Sequence, residues 1–463
     1  MLFKKIISEG LAHNSYIFGS QGTAVVIDPR RDIEIYLESA YENDLKIQYV
    51  LETHRHEDFV SGSTELAKHT DAEVFHADLQ LDYQYGKGIK EGQSWLIGDY
   101  DLEAISTPGH TTGSFSFLLK DADKTDWILF SGDTMMAGDL GRTDLVSEKL
   151  TKQMTETLYN SLVKKILPLH DGVIICPAHG SGSVCGSDIS EREWTSLGIE
   201  KRTNPKLQFK TKKEFIKKNA TILDKPPYFK KMEELNLRKN KKSFTKRVIP
   251  LSVDEVAKLS QKDDYQLLDV RSNLEFSAAH IENSIYIWEE GLASFAGWFL
   301  SYDKKIILIC EYSRLETIKT ILGRLGFDNV KGYLSEGLFG WHREGKKSSN
   351  IATYNVNMVC EKLDQKNNVE ILDIRDSDEI NNEGKIKNSI QIPLVHILEN
   401  KIKIPTDKTI FIFCGTGLRS MIAASLLKRT GFKDIAIVLG GLSAWNSSKF
   451  PVCENVNENN EKE

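Results

Sequence analysis

Short hydrophobic runs broken by turn residues dominate the N-terminal part of the chain. Ser15–Gly19 and Thr23–Pro29 read as paired strands joined by a glycine-containing turn. Ile33–Asn43 reads as a helix, Ile47–Leu51 as a strand, and Ser63–His69 as a helix after Gly62. Further on, strand-like runs end in polar clusters at 107–114, 131–134 and 177–180. Loops at successive strand ends are how a rigid sheet gathers distant residues into one site. Residues 201–247 are lysine-rich with few acids. Their Asn204-Pro205 and Pro226-Pro227-Tyr228-Phe229 landmarks make them a helical tail with a solvated face rather than a nucleic-acid patch.

The C-terminal part repeats itself. Leu267–Arg271 recurs as Ile371–Arg375, and Asn283-Ser284-Ile285 as Asn388-Ser389-Ile390. Gly337-Leu338 with Trp341 recurs as Gly441-Leu442 with Trp445. The offset is 104, from Asp269 to Asp373 and again from Gly337 to Gly441. Strands alternate with helices in both copies, which implies duplicated α/β domains with parallel sheets.

Composition narrows the classes. The 463 residues allow two to four domains, and 40% apolar with 27% charged residues is ordinary globular composition. A net charge of −6 argues against a nucleic-acid partner. The N-terminus lacks the apolar stretch of a secretory signal, and no run is long enough to span a membrane. Six cysteines without paired spacing point to reduced thiols and a cytoplasmic location.

The chemistry concentrates in Thr53-His54-Arg55-His56-Glu57-Asp58-Phe59, which places two imidazoles and two carboxylates at a strand end. The order HxHxD (His54, His56, Asp58), PGHTxGS (108–114), SGDT (131–134) and PxHG (177–180) resembles the metallo-β-lactamase superfamily over roughly the first half of the chain. That resemblance implies an αββα sandwich with metal at one edge of its two sheets. Two-metal hydrolases of the glyoxalase II type carry histidine directly after the aspartate, where this chain has Phe59. An apolar wall there favours one metal. His54, His110 and Asp133 then make a two-histidine, one-carboxylate face, which suits ferrous iron and O2.

This pattern resembles the persulfide dioxygenases, whose residues at these positions hold iron. Gly138–Asp144 is similar to their GDxGRxD segment, and Gly180–Gly186 to the GxGSxCG segment of bacterial multidomain members. The resemblance implies one Fe(II) per chain, with zinc as the alternative. His56, Asp58, His179, Cys185 and Arg142 are expected around the metal or in the substrate pocket, with Asp58 orienting a ligand histidine. Cys185 is either a small buried residue or a thiol that contacts substrate. His13 and the other histidines have no partner at ligand spacing.

Both repeats resemble rhodanese domains through the Asp-[Val/Ile]-Arg strand and the closing Gly-Leu-x-x-Trp. In the second, the strand Ile410–Phe413 leads into Cys414-Gly415-Thr416-Gly417-Leu418-Arg419-Ser420 and the helix 421–428. A cysteine before a helix N-terminus is stabilised as thiolate, and the glycines let backbone N–H groups face an anion. Cys414 is thus the expected sulfur carrier and Arg419 a cation for sulfite or thiosulfate. In the first repeat Cys310 is followed by Glu311, with no glycine in the loop, so that unit reads as degenerate; Glu311 is expected to raise the neighbouring thiol. Cys176 reads as core, and Cys360 and Cys453 belong to no motif.

The expected organisation is a persulfide dioxygenase domain at 1–245, a degenerate rhodanese domain at 246–348 and a catalytic one at 349–455. The expected reaction oxidises a low-molecular-weight thiol persulfide with O2 to sulfite and passes sulfane sulfur through Cys414 to form thiosulfate, a route of sulfide detoxification. A zinc thioester hydrolase of the hydroxyacylglutathione type is the alternative, and a non-catalytic sulfur-relay scaffold a third reading. No nucleic acid or membrane is expected as partner. The resemblance also implies a homo-oligomer.

Overall fold

A computed structural model describes residues 1–186, 188–239, 247–364 and 368–452. Cys453 and the end of the lysine-rich segment lie outside the described residues. The backbone forms two compact units, Met1–Phe244 with Thr320–Asp328, and Thr245–Lys319 with Asn329–Glu463.

In the first unit two six-stranded sheets face each other. One runs in chain order through Leu2–Ser8, His13–Ser20, Thr23–Ile27, Lys46–Glu52, Glu73–His76 and Lys87–Gly88. Its hairpin turns at Gln21-Gly22, both with positive φ (47° and 79°), the geometry a two-residue hairpin needs to match strand twist. The other begins with the antiparallel strands Ser94–Ile97, Tyr100–Ser106, Phe115–Lys120 and Asp126–Gly132. It continues with Ile174–Pro177, parallel to Asp126–Gly132, and ends at Thr195–Ser196.

Alternating side chains separate the layers. Tyr16, Phe18, Val25 and Ile27 join Trp95, Phe117 and Phe130 between the sheets. Ile17, Ala24 and Val26 turn the other way, against Tyr36 and Leu66 of helices Glu34–Tyr41 and Ser63–Thr70. Leu118 and Leu129 pack outward on Leu158 and Phe215. This is the αββα sandwich expected, and Cys176 lies in its central core as read from the sequence.

The sheets are tied at one edge. Phe115 N–H donates to the Thr53 carbonyl at 2.8 Å, and Asn14 N–H donates to the Ala178 carbonyl at 2.7 Å. The four polar clusters emerge here. The lysine-rich tail does more than present a solvated face: Asn236, on helix Phe229–Leu237, donates to the carbonyls of His56 and Phe59, both at 2.8 Å.

The second unit holds two five-stranded parallel sheets with the same strand order. The first is Ile249–Leu251, Val330–Leu334, Lys305–Ile309, Tyr265–Asp269 and Ile285–Tyr286. The second is Ala352–Tyr354, Ile435–Val438, Thr409–Phe413, Val369–Asp373 and Ile390–Gln391. The Asp-x-Arg element is a structural pin in both. Arg271 pairs with Asp269 at 2.6 Å, and the fully buried Arg375 pairs with Asp373 at 2.7 Å and donates to the Gly384 carbonyl. Each arginine precedes a capping box, Ser272 with Glu275 and Asp376 with Glu379, which starts the next helix.

Candidate metal centre and sulfur-carrier loop

The turn after Lys46–Glu52 brings His54 to the edge, the turn after Tyr100–Ser106 brings His110, and the end of Asp126–Gly132 brings Asp133. One ligand atom from each lies within 4.8 Å of the others, and all three residues are buried. Asp133 Oδ2 is 3.3 Å from His110 Nε2 and 3.8 Å from His54 Nε2.

The surroundings fix which nitrogen is free. His110 Nδ1 donates to the Arg142 carbonyl at 2.9 Å, which leaves Nε2 as the lone pair. His54 Nδ1 lies 2.8 Å from the Thr53 hydroxyl, whose own proton goes to Asp28 Oδ2 at 2.8 Å. Asp28 also accepts the Thr53 N–H, from a left-handed backbone position (φ 50°) that folds its carboxylate back on the loop. Burial pushes both imidazoles below their usual pKa, so they are neutral donors. Burial would raise Asp133, but the histidines beside it, His179 first, hold it ionised far below the usual carboxylate range. Two neutral imidazoles and a carboxylate whose free atoms converge fit a divalent transition metal. Gly141 packs so closely that a β-carbon would lie 2.1 Å from the Asp133 carbonyl, so this motif glycine is required sterically. Thr53→Val breaks the link from Asp28 to His54 while keeping the side chain's shape. It should lower metal affinity about 10–100-fold, as measured by competition with a chelator.

His179 bridges two carboxylates. Its Nδ1 contacts Asp133 at 2.7 Å and its Nε2 contacts Asp58 at 2.8 Å. Burial opposes protonation, but these two carboxylates raise His179 well above the ordinary histidine range. Asp58 thus orients His179, and through it Asp133; it does not orient a ligand histidine. That position belongs to Asp28, which was not singled out in the sequence. Cys185 joins Asp58 and His179 in a second group whose ligand atoms lie within 4.8 Å of one another. Burial pushes its thiol up to about 12.

Phe59 is fully buried, with its ring 3.8 Å from that of His13 and 4.5 Å from that of His56. His56 Nε2 is 3.0 Å from Asp28 Oδ1 but lacks hydrogen-bond alignment, and its Nδ1 has no partner. His13 is a correction to the sequence reading. It has no ligand spacing, yet the pairing of His13 with His179 across the sheets puts it in the site, with Nε2 buried and unpartnered. The Arg142 side chain is also corrected. Its guanidinium pairs with Asp144 at 2.6 Å and donates to the carbonyls of Val184, Leu223 and Asp224, so it fastens loops and only its backbone carbonyl serves the centre.

In the second unit, Cys414 is fully buried where strand Thr409–Phe413 meets helix Leu418–Arg429. Gly417, with φ 94°, turns its N–H onto Cys414 Sγ at 3.0 Å. Arg419 is held by a carboxylate: its Nη1 donates to Glu379 at 2.7 Å, and Nη2 engages the other carboxylate oxygen. In the first repeat Arg314 pairs instead with Glu289. Burial, then Asp269, Glu289 and Glu311, pushes Cys310 up to about 12, so burial outweighs the adjacent acid that the sequence singled out.

The metallo-beta-lactamase superfamily model matches residues 9–179, and the rhodanese-like domain model matches 252–344 and 357–448. The crystal structure of a metallo-beta-lactamase from Staphylococcus aureus subsp. aureus COL is 32% identical, with a TM-score of 0.63 over 72% of this chain and 98% of that one. This chain belongs to the metallo-beta-lactamase superfamily. Two rhodanese-like domains follow its metallo-beta-lactamase domain. Relatives of that domain include persulfide dioxygenase ETHE1, mitochondrial, of Mus musculus, 30% identical over 44% of this chain and 74% of that protein. Another is hydroxyacylglutathione hydrolase GloC of Haemophilus influenzae, 28% identical over 42% of this chain and 93% of that protein. The superfamily fold and the His/Asp donor set make the protein an enzyme with a metal cofactor. Among the described residues no helix is long and apolar enough to cross a membrane.

Proposed function

We propose that the protein is a persulfide dioxygenase coupled to a sulfurtransferase. The observation that carries this reading is Phe59. It stands where two-metal hydrolases carry a histidine, packs against His13 and His56, and adds no ligand atom beside the converging set at His54, His110 and Asp133. The likeness to a mammalian persulfide dioxygenase and the rhodanese-like domains support it. Fe(II) held by the three ligands would supply the one-electron chemistry with O2 that side chains lack. The protein's own part is to keep both Nε2 atoms unprotonated through Arg142 and the Thr53–Asp28 pair, and to fix Asp133 through His179. Phe59 and its aromatic neighbours keep water from the adjoining position.

In overall balance, a thiol persulfide, O2 and water give thiol, sulfite and two protons. Cys414 takes the outer sulfur of a second persulfide and releases its thiol. Sulfite then attacks that sulfur, giving thiosulfate and free Cys414. The Gly417 N–H and the helix N-terminus beyond it stabilise the thiolate that leaves. The test is O2 uptake by the Fe(II)-loaded protein on addition of a low-molecular-weight persulfide; no uptake under these conditions refutes the reading.

The second reading is a zinc thioester hydrolase. It is favoured by the Asp58, His179 and Cys185 group and by the hydroxyacylglutathione hydrolase relative. Release of glutathione from S-lactoylglutathione without O2 would identify it.

A further inference from the structure

A cavity of about 170 Å³ in the first unit has no part in the chemistry described so far. Its walls include Arg55 and Thr111, the residues that directly follow His54 and His110, together with Glu57, Asp78, Leu145 and Glu233. It therefore adjoins both histidine loops of the metal centre. It is smaller than the roughly 300–1,000 Å³ that takes a whole drug-sized ligand, so it suits a head group.

Its charges do not balance internally. Asp78 is committed to the fold, since it accepts the N–H groups of Arg55 and Gly113, both at 2.9 Å. Lys225, which also acts electrostatically on Glu57, is tied to the Leu145 carbonyl. That leaves one guanidinium between two carboxylates. Arg55 Nη2 is 2.9 Å from Glu57 Oε1 and 3.4 Å from Glu233 Oε1. Glu57 is only 4% exposed, and its Oε2 is buried with no hydrogen-bond partner. Burial, opposed by Arg55 and reinforced by Glu233, raises Glu57 to about 7. Arg55 satisfies only one oxygen of Glu57, and its own Nε is also buried without a partner, so the cavity wall leaves one acceptor and one donor unpaired.

We propose that this cavity receives the protonated primary amine of the thiol carrier, with Glu57 and Glu233 as acceptors and Arg55 aligning both carboxylates. The inference rests on the persulfide reading and narrows its substrate class. Carriers of the amino-acid type, with a free ammonium a few bonds from sulfur, are favoured over coenzyme A or N-acylated thiols, which offer no cation there.

The test is binding of S-methyl-L-cysteine, whose thioether has the length of a persulfide, and of its N-acetyl derivative to the full-length, zinc-loaded protein. The free amine should bind about tenfold or more tightly, the size of a hydrogen bond to a charged group. Glu57→Gln should erase the preference. Glu233→Gln, at the more exposed wall, should weaken it and stands in if the first variant does not fold. Equal affinity for the two probes, or a preference intact in the folded variants, overturns the inference. The readout is separate from turnover. Amine-dependent binding without persulfide-driven O2 uptake would sink the dioxygenase reading alone. O2 uptake that is equally efficient with N-acetylated persulfide would sink the amine site alone.

Discussion

Asp133→Ala removes the bound metal and lowers persulfide-driven O2 uptake at least about a hundredfold. Loss of outer-shell partners alone costs about 10–100-fold in metal affinity or activity, and Asp133 is placed to be a direct ligand. Its carboxylate contributes the only anionic atom in the converging group with His54 and His110. It also accepts a hydrogen bond from His179, so the substitution strips that doubly bonded imidazole of one partner. Leaving a buried charge without its partner costs about 3–5 kcal/mol, so thermal stability should fall as well. Metal content, O2 uptake and melting temperature measured on one preparation separate the effects. Full metal occupancy in a folded Asp133→Ala protein would remove the aspartate from the ligand set.

Cys414→Ser abolishes thiosulfate formation and leaves O2 uptake and sulfite release intact. Serine keeps the shape of the loop and can still accept the Gly417 N–H, so the fold survives. It cannot carry sulfane sulfur. Cys310→Ser is the internal control. Burial keeps that thiol protonated, and acids surround it, so its replacement should leave thiosulfate yield unchanged. Product analysis by chromatography reads both variants. Equal loss of O2 uptake and thiosulfate in Cys414→Ser would mean that the two chemistries are not divided between the domains.

What could be read from the chain follows from how local each signal is. Strands such as His13–Ser20 and the ligand loops announce themselves because each is a short run bounded by turn residues and each motif is contiguous. The duplication was legible because both copies keep the same buried strand, arginine pin and closing tryptophan, in sheets of the same order. The supports of the site were not. Asp28 reaches His54 only through Thr53, His13 meets His179 only across two sheets, and Asn236 clamps the His56–Phe59 loop from a helix 177 positions beyond Phe59. Each is an ordinary residue in its own stretch, and only tertiary pairing gives it a role. Arg419 shows the same for a motif residue: its partner Glu379, 40 positions earlier, decides how free that cation is.

The central claim is that His54, His110 and Asp133 hold iron for chemistry with O2, while Phe59 closes the neighbouring position. Its most direct test is elemental analysis of protein purified without oxygen, paired with an O2-uptake assay on the same sample. About one iron per chain is expected, with O2 uptake that depends on added persulfide. Two zinc ions per chain, with thioester hydrolysis and no O2 consumed, would contradict it.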